Sequence, residues 1–67
     1  MNIASERVRA GLEQRQLAEK LNVSAATVSR WERDITKPDS NQLVAMRDIF
    51  GCSVDYLLGV TDDRVAR

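Results

Sequence analysis

Residues 14–33 constrain the fold more than any other stretch, because they read as two short helices joined by a three-residue turn. Leu17, Leu21, Val23, Val28 and Trp31 supply the apolar positions that lock such a unit, and Ala18 is small enough at the crossing point for the two backbones to approach. Asn22-Val23-Ser24 breaks the first helix and caps the second. Packing one helix across the other holds the second out toward a partner.

Composition narrows what that partner is. Sixty-seven residues make one domain, and a chain this short buries only about 60% of its unfolded surface, so its core must be compact. One Cys and no His exclude an internal disulfide and the usual zinc sets. No apolar run is long enough to span a bilayer or to serve as a signal peptide, which makes a reducing cytoplasm the expected compartment. Net charge is zero but unevenly spread. Up to Lys37 there are seven basic and five acidic residues, and from Pro38 onward three basic and five acidic. That polarity is compatible with a mildly basic face or with ordinary solvated charge.

Turn signals divide the chain into five helical segments, and nothing alternates at period two, so the expected fold is all-α. The first helix spans about 3–10 and stops at Gly11; the second spans 14–21, followed by Asn22 in a left-handed conformation. Ser24 caps a third helix ending near Glu32. Asp39 with Gln42 makes a capping-box start for a fourth, ending at Phe50-Gly51, and Ser53 caps a short fifth closed by Gly59. The expected core is Ile3, Val8, Leu12, Leu17, Ala18, Leu21, Val23, Val28, Trp31, Leu43, Met46, Phe50, Leu57 and Leu58. Cys52 is expected to be a small buried hydrophobe, since no basic neighbour in sequence activates it.

The segment Arg7-x-x-x-Gly11-Leu12-x-Gln14-x-x-Leu17-Ala18-x-x-Leu21-x-Val23-Ser24 resembles the start of the phage-repressor/Cro-like (XRE-type) helix-turn-helix family. The likeness continues through Val28-x-x-Trp31-Glu32, Pro38 and Leu43 to Phe50-Gly51-x-Ser53-x-Asp55-Tyr56-Leu57-Leu58-Gly59, and so covers residues 3–59. It implies a compact five-helix lambda-repressor-like DNA-binding domain over residues 1–59, with residues 60–67 as a flexible C-terminal tail. The helix at 25–32 would be the recognition helix, entering the major groove with Ala25, Ala26, Thr27 and Arg30 toward base edges.

Arg30 is the one long donor there. Its guanidinium suits the O6 and N7 of guanine; a phosphate contact or a surface pair with Asp34 is the alternative. Ala25, Ala26 and the Thr27 methyl offer apolar contact to thymine, or serve only as helix formers. Gln14, Arg15, Asn22, Ser29, Arg33 and Lys37 are the expected phosphate contacts. The resemblance also implies a structural ion pair between Arg7 and Glu32.

Four departures stand out. Glu13 replaces the usual Ser or Thr cap of helix two and sets a negative charge near the expected phosphate. Asn22 and Asp34 stand where Gly is common, and Arg47 occupies a normally small site.

A homodimer is expected, pairing through Cys52, Val54, Tyr56 and Val60 and placing two recognition helices about 34 Å apart on a near-palindromic operator. The function implied is a sequence-specific double-stranded DNA-binding transcriptional regulator, a repressor acting by occlusion. It would be either a naturally minimal protein or the N-terminal part of a longer one. The alternative is an antitoxin-type DNA-binding protein whose main partner is a toxin protein. Catalysis has little support, because there is no His, no evident activating base for the one Cys and no acid cluster with metal-loop spacing. No cofactor, metal, small-molecule ligand or membrane contact is implied.

Overall fold

A computed structural model describes residues 1–65, and in it five helices follow one another: α1 (Ile3–Arg9), α2 (Gln14–Leu21), α3 (Ala25–Glu32), α4 (Ser40–Phe50) and α5 (Val54–Leu58). There is no strand among the described residues. The most extensive helix contact is α2 against α3, α1 and α4 close the other sides of that pair, and α5 packs on α4. Ile3, Leu17, Ala18, Val28, Trp31, Leu43, Met46, Phe50, Cys52 and Leu57 form the buried core, with Leu12, Leu21 and Val23 partly buried against it.

Two expected core residues lie outside. Val8 is 65% exposed. It sits five residues after Ile3, about 140° around the helix, and the inward face carries Ile3, Glu6 and the half-buried Arg7 instead. Leu58 is 40% exposed, because in a five-residue helix neighbours lie about 100° apart and Leu57 takes the inward position.

The helix ends repeat one device. After α2, the Val23 N–H donates to the Ala18 carbonyl at 3.0 Å and the Asn22 N–H to the Glu19 carbonyl at 3.3 Å. This is a Schellman closure with Asn22 left-handed at φ 57°. The same closure ends α3, where Ile35 donates to Arg30, Asp34 donates to Trp31, and Asp34 has φ 59°. Asn and Asp tolerate this conformation through their short polar side chains, so they replace Gly here without breaking the turn. At the other ends, Ser24 and Ser53 accept from Thr27 and Tyr56 N–H groups, and Asp39 with Gln42 forms both bonds of the expected capping box. Glu13 proves a workable start to α2, since its N–H donates to the Gln16 side-chain oxygen at 2.8 Å.

The chain keeps contact with the rest of the domain after Gly59. The Ser53 N–H donates to the Arg64 carbonyl at 2.8 Å, and Arg64 Nη2 donates to the Phe50 carbonyl at 2.7 Å, capping the end of α4. Arg64 also pairs with Glu6 of α1 at 2.7 Å. Glu6 is 3% exposed, so this strap is what makes its burial tolerable. The strap therefore belongs to the domain as far as Arg64; Ala66 and Arg67, the last part of the expected tail, lie outside the described residues. The beginning of α1 is fastened to the same end of the molecule, with Asn2 donating through its backbone N–H to Leu57 and through Nδ2 to Tyr56.

Candidate nucleic-acid interface

The candidate interface is built on α3. Val28 and Trp31 bury its inner face, and Ser24 fixes its first turn. Ala25, Ala26, Arg30 and Arg33 are exposed, and Ser29 is half-buried between them. Positions 26, 30 and 33 follow one another at helical spacing, so Ala26, Arg30 and Arg33 share one outward stripe. Eight residues make a rod about 12 Å long, comparable to the width of the major groove.

Arg30 forms no ion pair among the described residues; Asp34, its expected partner on the surface reading, instead faces the Met1 ammonium at 3.6 Å. The guanidinium is thus available to an outside acceptor. Thr27 is different. Its hydroxyl lies 2.9 Å from Ser24 Oγ, which ties up the polar atom and leaves the methyl as the group on offer.

Arg15, Asn22, Arg33 and Lys37 are all exposed, flanking α3 in sequence on both sides. Arg33 Nε makes a long 3.4 Å contact to the Ser29 carbonyl, and Arg15 and Lys37 form no ion pair among the described residues. Arg47 is accounted for as well: it reaches solvent and pairs with Asp48 at 3.2 Å.

Arg7 and Glu32 come together at 2.6 Å between Nε and Oε2, with side chains 17% and 8% exposed. Arg7 Nη2 reaches Oε1 of the same carboxylate at 3.3 Å, and Nη1 donates to the Leu12 carbonyl at 2.8 Å. One arginine therefore joins α1, the α1–α2 loop and the end of α3. Gln14 was expected only at a phosphate, but its Nε2 donates to Glu32 Oε1 at 3.0 Å. Sequence reasoning missed this contact. The signal was available in principle, since Gln14 opens α2 where Glu32 closes α3, but only the fold sets those ends side by side.

Of the four residues expected to form a pairing surface, Val60 is exposed, and Val54 and Tyr56 are half-buried. Cys52 is withdrawn from that set, because it is 4% exposed and belongs to the core. Burial pushes its thiol above the ordinary value of 9.0, and the neighbouring Glu6 carboxylate adds to the rise. No group of residues that could hold a metal ion occurs among the described residues.

The helix-turn-helix family model matches residues 3–57. Among curated proteins, the chain is 42% identical over 53 residues to the HTH-type transcriptional regulator ImmR of Bacillus subtilis (strain 168), covering 79% of this chain and 42% of the relative. It is 36% identical over 56 residues to repressor protein C2 of Salmonella phage P22, covering 84% and 26%. It is 35% identical over 51 residues to the transcriptional regulator DicA of Escherichia coli (strain K12), covering 76% and 38%. The matched parts thus span less than half the length of these relatives. Among solved structures, a transcriptional regulator from Listeria innocua superposes with a TM-score of 0.82 at 34% identity, covering 92% of this chain and 58% of that one.

Proposed function

Given that the chain belongs to the helix-turn-helix family, we propose that it is a non-enzymatic transcriptional regulator that binds double-stranded DNA by placing α3 in the major groove. The observation that carries this reading is the stripe on α3, an outward face whose arginine has no ion pair among the described residues, on a helix whose inner face is locked by Val28, Trp31 and Glu32. Arg30 reads a guanine, and the methyl-bearing Ala25, Ala26 and Thr27 meet thymine methyls or simply allow close approach. With so few readers, DNA shape carries part of the specificity. Arg15, Arg33 and Lys37 hold the backbone and set the salt dependence, with Gln14, Asn22 and Ser29 as uncharged contacts.

The protein acts as a repressor by occlusion, as a homodimer on a near-palindrome, pairing through Val54, Tyr56 and Val60. The names of the relatives support a regulator; they lend nothing to the toxin-partner alternative.

Selection of bound duplexes from a random library tests the reading. A near-palindromic motif is expected, and Arg30→Ala is expected to relax the preference at one base pair per half-site, worth about 1–3 kcal/mol. No enrichment at moderate salt would sink it. Sedimentation of the complex gives the number of chains on the selected site.

A further inference from the structure

The junction of α1, α2 and α3 contains a bond that the ion pair alone does not require. Arg7 already serves both oxygens of the Glu32 carboxylate, yet Gln14 Nε2 also donates to Oε1 at 3.0 Å. A carboxylate only accepts, so Gln14 must turn its nitrogen inward, and chemistry decides which way the amide faces. Glu32 is itself held by an Arg7 whose third nitrogen donates to the Leu12 carbonyl. Gln14 is the first residue of α2, where the leading backbone N–H groups have no partner inside the helix.

We propose that Glu32 is a positioning residue that holds the Gln14 amide in a single orientation before DNA arrives. Resting on the DNA-binding reading above, this assigns the second Nε2 hydrogen, together with the Gln14 and Arg15 backbone amides of the first turn, to a phosphate, the Gln16 amide being taken by the Glu13 side chain. The benefit is entropic. A glutamine that is already ordered loses little side-chain freedom when the phosphate docks, whereas a free one must be frozen at that moment. A carboxylate thus sits one residue removed from the anion it helps to bind, its charge cancelled by Arg7.

The test is the effect of Gln14→Ala in two backgrounds, read by anisotropy on a fluorescein-labelled mixed-sequence duplex over a series of KCl concentrations. In the unmodified protein the substitution is expected to weaken binding roughly fivefold. The salt slope should stay unchanged, because the group lost is uncharged. Glu32→Asp keeps a charge facing Arg7 but draws the acceptor back by one C–C bond, about 1.5 Å, out of reach of Gln14. In that background Gln14→Ala is expected to cost less than about twofold. An equal penalty in both backgrounds, or none in the unmodified protein, overturns the proposal. A Glu32 that merely stabilised the fold would give the equal penalty.

If Glu32→Asp melts below the assay temperature, side-chain amide relaxation of the unmodified protein decides. The Gln14 amide is expected to be as rigid as the backbone, with an order parameter near about 0.85, and a value below about 0.6 overturns the proposal. Failure of the unmodified protein to bind any duplex at low salt would instead refute the DNA-binding reading.

Discussion

Glu6 and Arg7 are neighbours in α1, and they serve opposite halves of the molecule. About 100° of helical rotation sends Arg7 toward α2 and α3 and Glu6 toward the end of α4 and the strap after α5. The two ion pairs differ in what carries their far ends. Glu32 sits on a helix packed into the core, so the Arg7–Glu32 pair is a brace between elements that cannot easily part. Arg64 sits on an irregular segment held by few bonds, so the Glu6–Arg64 pair is a latch that can swing away. A brace of this kind fixes geometry at the α2–α3 end, whereas a latch protects a buried charge at the other.

The largest effect is expected from breaking the brace. Glu32→Ala leaves Arg7 half-buried without a counter-charge and should cost about 2–4 kcal/mol. For a domain of this size that lowers Tm by roughly 10–25 °C in a circular dichroism melt. An unchanged Tm would refute the brace.

Arg64→Ala should lower Tm by less, because the strap can open and let water reach Glu6. Its mark should be local. Amide exchange at Ser53, whose N–H is held by the Arg64 carbonyl, is expected to accelerate while exchange at Trp31 stays slow. Equal acceleration at both would erase the distinction between the halves. Arg64→Lys keeps the charge but gives up the fork that spans Glu6 and the Phe50 carbonyl, and its Tm is expected to fall between Arg64→Ala and the unmodified protein.

The smallest effect concerns Cys52, beneath the latch. Its folded-state pKa is raised above 9.0, by burial first and then by Glu6. Below that pH both folded and unfolded chains hold the thiol proton and stability is unaffected. Above it the unfolded chain releases the proton first, so stability declines as pH rises. Urea titrations at neutral pH and above 9 should show this decline, and Cys52→Ala should remove that part of it.

The α2–α3 half was legible in the sequence because its signals are local. Ser24, Asn22, Asp39 and Gln42 act on residues no more than five positions away, and the helix bounds of α2 and α3 follow from them. The latch was not legible. Glu6 reads as a surface charge in a seven-residue helix, and nothing near it announces a partner 58 residues on. The Gln14–Glu32 bond was missed for a similar reason, since it depends on how α2 and α3 cross. Val8 and Leu58 were misplaced where helices are too short for periodicity to choose a face.

The span of the latch also orders events during synthesis. At about 5–20 residues per second, Glu6 waits roughly 3–12 s for Arg64 to be made, on the 58-residue separation. Meanwhile every residue of α1, α2 and α3 is already present, and the brace can close behind them. The partners of the brace, 25 residues apart, are thus both in place along the chain before those of the latch, 58 apart.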